Sequence, residues 1–170
     1  MSAKKIESSA QSPAVSPHPS RLLERPLSIL HVDDSTDDQL LFQAACQQAQ
    51  LPIQSQVADS TERAISRLQE LLSLSKAQAV PWPDVVVLDI QMPGEKGFKV
   101  LEYIRSTPEL RPLPVVVLTG VSSNESMTQA YALGANSFHE KPNCFEDLVQ
   151  LVVSLYTVWS ASRRPALGEK

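Results

Sequence analysis

Residues 85–94 read VVVLDIQMPG and decide the fold. The run of three valines and a leucine predicts a short strand that is buried on both faces, which is typical of a parallel sheet. Asp89 follows this strand directly, and Pro93 and Gly94 mark the loop beyond it. Because open parallel sheets bind their ligands beyond the carboxyl ends of the strands, the pattern indicates Asp89 as a candidate functional residue.

Similar apolar runs recur on both sides of this segment. They predict four more strands, at residues 27–32, 53–57, 115–118 and 137–140. The segments between them have helical spacing or capping signals and predict five helices. Four lie at residues 36–49, 61–72, 98–105 and 124–133, and the last opens at a cap at residue 143 and runs to about 159. This alternation predicts an α/β fold, a doubly wound five-stranded parallel sheet with helices on both faces.

Three helix ends carry recognisable capping signals. Ser35 is placed to cap the first helix, and the acidic Asp37 and Asp38 suit the positive end of its dipole. Gly134 is placed to end the fourth helix in the left-handed conformation. For the last helix, the pair of residues at 143 and 146 (Asn and Glu) resembles a capping box.

The composition fits one globular domain with short tails. The chain has 170 residues, 42% of them hydrophobic, and a formal net charge of −4. Serine and proline dominate residues 1–25, which predicts a flexible leader; residues 26–159 form the domain and 160–170 a C-terminal tail. Both ends are basic, so the domain is more acidic than the total, which argues against binding nucleic acid.

The two cysteines and the absence of a long apolar run indicate a cytoplasmic protein without a membrane segment. Cys46 and Cys144 are far apart and lack metal-type spacing, so we expect two reduced, buried thiols. No run approaches the roughly 18 apolar residues that a spanning helix needs.

Acidic, hydroxyl and amine side chains follow four of the predicted strands. Asp33 and Asp34 follow the first strand, Asp89 follows the third, Thr119 the fourth and Lys141 the fifth. Three clustered carboxylates repel one another, and a hard divalent cation such as Mg²⁺ compensates this repulsion. Together with Lys141 and Thr119, such a site suits phosphoryl transfer, with Asp89 as the nucleophile that forms an aspartyl phosphate.

Four motifs resemble the receiver domain of two-component response regulators. They are ILHVDDS at 29–35, VLDIQMPG at 87–94, VLTG at 117–120 and FHEKP at 138–142. The resemblance covers about residues 26–158 and implies a flavodoxin-like (βα)5 fold of the stand-alone, chemotaxis-regulator type. The long first helix is also similar to that of regulators paired with phytochrome-type kinases.

The resemblance implies a role for each residue of the acidic group. Asp89 would be the phospho-acceptor. Asp34 and Asp89 would ligate Mg²⁺ together with the backbone carbonyl of Gln91. Asp33 would assist through a water molecule.

The resemblance also implies how the site would switch. Thr119 and Lys141 would each bind an oxygen of the phosphoryl group, and Phe138 corresponds to the family's switch aromatic. Phe138 lacks the hydroxyl of the commoner tyrosine, so only a packing change remains available to it. The peptide bond before Pro142 is typically cis in receivers. His31 replaces the usual apolar residue, and we interpret it as a buried neutral imidazole without a functional role.

The expected function is that of a single-domain response regulator rather than an enzyme. A sensor histidine kinase or a phosphotransfer protein would phosphorylate Asp89, and a downstream protein would read the result. One alternative is a haloacid-dehalogenase-like phosphohydrolase, which needs two acidic residues separated by one residue, whereas Asp33 and Asp34 are adjacent. The other is an adaptor that works without phosphorylation, which the complete set of acidic, threonine and lysine positions disfavours.

The last helix is apolar on more than its core-facing side. Val149, Val153, Tyr156 and Val158 lie outside the predicted core stripe, and the fourth helix has little charge beyond Glu125. Because an apolar patch often marks an interface, we expect a homodimer through the fourth and fifth helices.

Overall fold

The computed structural model describes residues 26–75, 82–94 and 97–161. The predicted leader, residues 1–25, and most of the predicted tail lie outside these residues. None of the helices in the described part of the chain has the length and apolar character that crossing a membrane requires.

Five parallel strands form one sheet, as the alternating pattern predicts. They are β1 (Leu27–Val32), β2 (Ile53–Ala58), β3 (Val85–Leu88), β4 (Val115–Thr119) and β5 (Ser137–Glu140). Their spatial order is β2-β1-β3-β4-β5, which is a doubly wound arrangement. Strands β3 and β4 are buried along their whole length, and the terminal strand β5 is only partly buried.

Five helices cover the two faces of the sheet. They are α1 (Thr36–Gln48), α2 (Thr61–Ser75), α3 (Gly97–Ser106), α4 (Asn124–Ala132) and α5 (Phe145–Ser160). Because side chains alternate along a strand, β3 contributes residues to two hydrophobic cores, one on each face of the sheet. Val86 and Leu88 pack with residues of α2 and α3, whereas Val85 and Val87 pack with residues of α1 and α5. The fold class predicted from the sequence is therefore confirmed.

The helix ends confirm two of the predicted caps and correct the third. The Ser35 hydroxyl accepts a hydrogen bond from the Asp38 amide at 3.3 Å, and Gly134 adopts φ of +94° after α4. The capping box at α5 is wrong, because Phe145 is the first helical residue. Cys144 is therefore the N-cap, with no side-chain hydrogen bond, and Asn143 lies one residue too early to cap the helix.

The prediction of two buried thiols is correct only for Cys46. Cys46 lies on the buried face of α1, and burial raises the pKa of its thiol to about 11. Cys144 is exposed, because the N-cap of α5 lies at the protein surface.

Helix α5 is less exposed than its sequence suggests. Val149 and Tyr156 pack against the core between the sheet and the helix pair α1 and α5, so their predicted placement outside the core is wrong. Val153 is half-buried, and Val158 is the exposed member of the group at 54%. The unexplained apolar surface of α5 is therefore small.

The Arg105 side chain ties several segments together at the amino ends of β4 and β5. Its guanidinium donates to the carbonyl oxygens of Gly134, Arg111 and Leu113 at 2.8–3.0 Å. It also donates to the Asn136 side-chain oxygen at 3.0 Å, which accepts the Val115 amide as well. One side chain thus links α3 to the segments that precede both strands.

Replacing Arg105 with methionine is expected to lower the free energy of unfolding by about 2–3 kcal/mol, because several carbonyl oxygens lose a charged donor. The matched control is Arg63→Met, since Arg63 is 74% exposed and pairs with Asp59 on the surface. This control should change stability by less than about 0.5 kcal/mol. Urea denaturation measures both variants, and equal losses would contradict the structural role of Arg105.

Candidate functional site

The structure brings three carboxylates together at the carboxyl edge of the sheet. Oxygen atoms of Asp33, Asp34 and Asp89 all lie within 4.8 Å of one another. The cause is the strand register, because Val32 and Leu88 are partners at the ends of β1 and β3. Asp33 and Asp89 are buried, whereas Asp34 is exposed.

Backbone amides fix one oxygen of each buried carboxylate. Asp33 Oδ1 accepts the Ser35 amide at 2.9 Å, and Asp89 Oδ1 accepts the Gln91 amide at 2.8 Å. Each bond joins a residue to the amide two positions later, a local turn that aspartate forms readily. The second oxygen of each carboxylate therefore faces the centre of the site.

The Lys141 ammonium lies at that centre. Its Nζ is 2.8 Å from Asp33 Oδ2, 2.7 Å from Asp89 Oδ2 and 2.7 Å from Asp38 Oδ2. The side chain is only 18% exposed, and a hydrogen bond from the Lys141 amide to the Thr119 carbonyl at 2.7 Å anchors its backbone. One cation thus neutralises part of a cluster of acidic groups.

Burial and pairing shift the pKa values of this group in opposite directions. Burial alone raises the pKa of Asp33, but contacts with His31, Lys141 and the Ser35 amide hold it below its ordinary value. Burial alone lowers the pKa of Lys141, but its contacts with Asp33, Asp38 and Asp89 raise it above its ordinary value. The Asp33 carboxylate and the Lys141 ammonium are therefore both charged at neutral pH.

Asp38 is the site residue that the sequence does not reveal. Its position in the first turn of α1 is explained by the helix dipole, and nothing in the motif assigns it to the site. Asp38 lies four residues after Asp34, in the first turn of the helix that begins at Thr36. That spacing is the signal that could have placed Asp38 beside the other carboxylates.

Thr119, Gln91 and Phe138 lie on the strands and loops beside the acidic residues. Thr119 is completely buried at the end of β4, and its Oγ1 has no hydrogen-bond partner among the described residues. The side-chain oxygen of Gln91 accepts the Val121 amide at 3.0 Å and so links the loops after β3 and β4. Phe138 is half-buried and packs against the core on the α2 and α3 side.

The peptide bond between Lys141 and Pro142 is trans, as are all peptide bonds of the described residues. The expected cis bond is therefore not found. A bond that precedes proline has only a small preference between the two forms, so the sequence does not decide between them.

Gly97 lets the start of α3 lie directly against the backbone of the site. A Cβ atom at Gly97 would be 2.4 Å from Ile90 Cα and 2.7 Å from the Asp89 carbonyl oxygen. No side chain fits at these distances unless the backbone moves. Glycine at position 97 therefore allows α3 to pack directly against the backbone of Asp89 and Ile90.

Gly97→Ala is expected to lower the free energy of unfolding by more than about 2 kcal/mol, because the new methyl group collides with backbone atoms. Gly120→Ala is the matched control, since a Cβ there would meet only the flexible Gln91 side chain, at 3.5 Å. Urea denaturation should show a large loss for the first variant and a loss below about 1 kcal/mol for the second. Equal stability of the two variants would contradict this contact.

The donor set fits a hard divalent cation. Carboxylate and carbonyl oxygens are the ligands that Mg²⁺ prefers, and it keeps several waters besides one or two carboxylates. Asp34 and Asp89 offer oxygens from two different loops within the 4.8 Å cluster. Among the described residues, the buried Thr119 hydroxyl at the end of β4 has no hydrogen-bond partner, so it is available to donate to an anion bound at this edge of the sheet.

Comparison with known proteins identifies the class. Residues 29–153 match the response regulator receiver domain family, and the chain belongs to this family. Receiver domains act in two-component signalling: they take a phosphoryl group from histidine kinases or phosphotransfer proteins and bind Mg²⁺ at an acidic pocket.

Two relatives show how far the similarity extends. The response regulator Rcp1 of Synechocystis is 28% identical over 134 residues, which is 79% of this chain and 89% of Rcp1. The probable methanogenesis regulatory protein FilR2 of Methanothrix harundinacea is 39% identical over 77 residues, or 45% of this chain. That match spans half of FilR2.

Two crystal structures are similar to the whole described domain. The phosphorylated cyanobacterial phytochrome response regulator RcpA superposes with a TM-score of 0.69 at 26% identity, covering 82% of this chain and 97% of RcpA. The Mn²⁺-bound form of Rcp1 superposes with a TM-score of 0.68 at 27% identity, covering 83% of this chain and 100% of Rcp1. The predicted resemblance to stand-alone, phytochrome-associated regulators is confirmed.

Proposed function

We propose that this receiver accepts a phosphoryl group on Asp89 from a sensor histidine kinase or a phosphotransfer protein and then signals through protein contacts in the cytoplasm. One observation carries the proposal. The Asp89 carboxylate is 5% exposed, is held by the Gln91 amide and the Lys141 ammonium, and lies beside two further carboxylates. Such a group is held rigidly and lies next to a place for a cation.

The chemistry follows from this placement. A carboxylate oxygen of Asp89 attacks the phosphorus atom of a donor phosphohistidine, so that a P–O bond forms while the P–N bond breaks. The electron pair of the broken bond returns to the donor imidazole. Lys141 and the Thr119 hydroxyl, which has no partner among the described residues, would bind oxygens of the arriving group.

A bound Mg²⁺ would neutralise the negative charge that gathers between Asp89 and the phosphoryl oxygens. Asp34, Asp89 and the backbone carbonyl of Gln91 would hold it, with Asp33 contributing through a water. The Mn²⁺-bound form of Rcp1 supports a divalent cation in this family.

The switch would begin at Thr119. Drawing its hydroxyl towards a phosphoryl oxygen would move the end of β4 and leave space into which the half-buried Phe138 ring could turn. A packing change of this kind is the signal that a downstream protein would recognise.

The two alternatives have less support. A haloacid-dehalogenase-like phosphohydrolase would need an acidic residue two positions after its nucleophile, and Gln91 stands two positions after Asp89. An adaptor that works without phosphorylation would have no use for a buried Thr119 hydroxyl that lacks a partner among the described residues.

Intact-mass spectrometry after incubation with acetyl phosphate and Mg²⁺ tests the proposal. The expected result is an adduct of about 80 Da that EDTA prevents. A generic phosphate monoester tests the phosphohydrolase alternative, and it should not be turned over. An unmodified mass with acetyl phosphate, or steady hydrolysis of the ester, would overturn the proposed function.

A homodimer through α4 and α5 is a second part of the proposal. Its support is the exposure of large apolar side chains on and beside these helices: Val121 (62%), Val158 (54%), Tyr131 (49%) and Met127 (38%). Sedimentation at tens of micromolar, with and without a beryllofluoride phosphoryl mimic, tests it. A monomer under both conditions would exclude the dimer.

A further inference from the structure

His31 is a buried polar residue that the proposed chemistry does not use. It lies near the end of β1 and is 1% exposed. His31 and Asp33 are two positions apart, so strand alternation directs both side chains to the same face. The His31 Nε2 atom is 3.6 Å from Asp33 Oδ2, and its ring stacks on Phe42 of α1 with centroids 4.3 Å apart.

The surroundings of the ring define its tautomer. Because Nε2 faces a carboxylate oxygen, Nε2 is the ring nitrogen that carries a proton towards Asp33. The opposite nitrogen, Nδ1, is buried and has no hydrogen-bond partner among the described residues. Burying an unpaired polar atom costs free energy, so an apolar side chain would suit this core better. Packing alone does not explain a histidine here.

The contact with Asp33 offers an explanation. Asp33 is completely buried; the Ser35 amide holds its Oδ1, and Oδ2 pairs with Lys141. Lys141 is shared with Asp38 and Asp89, and in the proposed function it also binds the phosphoryl group. When Lys141 turns towards that group, the His31 N–H is the donor that remains beside Asp33 Oδ2.

We propose that His31 is a positioning residue for the metal site, which keeps the Asp33 carboxylate oriented towards the cation while Lys141 engages the phosphoryl group. The inference rests on the proposed function, since it assumes that Asp33 assists in holding Mg²⁺. Removing a residue that hydrogen-bonds to a metal ligand typically weakens metal binding by 10- to 100-fold.

The test compares metal affinity with stability. His31→Leu should weaken Mg²⁺ binding, measured by isothermal titration calorimetry, by about 10-fold. The free energy of unfolding in EDTA should stay the same or rise, because the unpaired Nδ1 is removed. His31→Gln, whose amide can donate to Asp33, should recover part of the affinity.

Two controls separate positioning from packing. Ile29→Val removes a methylene from the same core and should lower stability without changing Mg²⁺ affinity. In an Asp33→Asn background, adding His31→Leu should have no further effect on affinity, since the carboxylate on which His31 acts is gone.

Unchanged Mg²⁺ affinity in His31→Leu, or an equal loss in the Asp33→Asn background, would overturn the inference alone. The wild-type mass adduct with acetyl phosphate would still support the proposed function in that case. A wild-type protein that binds no Mg²⁺ and forms no adduct would overturn both.

Discussion

Asp89→Asn is expected to form no detectable adduct with acetyl phosphate and Mg²⁺, under conditions where the wild-type protein gains about 80 Da. The reason is chemical, because a carboxamide lacks the negative charge and the nucleophilic oxygen that attacks phosphorus. Intact-mass spectrometry reports the result directly, and peptide mapping of the wild-type adduct should locate it on Asp89.

The fold should survive this substitution. The side-chain oxygen of Asn can still accept the Gln91 amide, which Asp89 Oδ1 accepts at 2.8 Å. Lys141 keeps its contacts with Asp33 and Asp38. Unfolding in urea should therefore show a cooperative transition, which distinguishes loss of chemistry from loss of structure.

Asp37→Asn is the matched control for charge and location. Asp37 is exposed in the first turn of α1, next to Asp38. The substitution removes the same charge near the site and should leave the adduct intact. An adduct on Asp89→Asn, or its loss in Asp37→Asn, would contradict the assignment of Asp89.

The location of the acidic cluster could be predicted from the sequence because the sheet itself fixes it. Parallel strands end at one edge, so residues that directly follow β1 and β3 must lie close together whatever the loops do. Asp33 and Asp89 illustrate this, since their strands end at the partners Val32 and Leu88. Only the alternation of strands and helices was needed for the inference.

Contacts that depend on side-chain reach or on helix placement could not be predicted in this way. Asp38 meets Lys141 across 103 positions of sequence, and its position in a first helical turn already has a local explanation. Gly97 is necessary because the first turn of α3 packs directly against the backbone of Asp89. The pattern of apolar residues in the sequence does not show how closely a helix approaches a loop. The cap of α5 failed for a smaller reason, a helix start one residue later than predicted.

Lys141 contributes to the stability of the fold as well as to the proposed chemistry. One ammonium satisfies three carboxylates, of which Asp33 is completely buried and Asp38 is 38% exposed. Without Lys141, no cation remains among the described side chains of this cluster. Its carboxylates then repel one another in a place where little water screens them. The site therefore depends on a positive charge, from Lys141 or from a metal.

Lys141→Met is expected to lower the free energy of unfolding in EDTA by about 3 kcal/mol, because a buried ion pair loses one partner. Added Mg²⁺ should restore more stability to this variant than to wild type, since the cation replaces the missing charge. Thermal unfolding with and without Mg²⁺ measures both effects. Lys99→Met, at an exposed position of α3, is the control and should show neither effect.

The stability difference between wild type and Lys141→Met should depend on pH in a defined direction. The pKa of Asp33 is held below its ordinary value, so its contribution is present above about pH 3.9 and is lost as the pH falls further. The pKa of Lys141 is raised, so its contribution is present below about pH 10.4 and is lost only as the pH rises beyond that value. The difference should therefore be constant near neutral pH and should shrink in acid. A difference that persists unchanged at pH 2 would show that Lys141 stabilises the fold through packing of its stem and not through its charge.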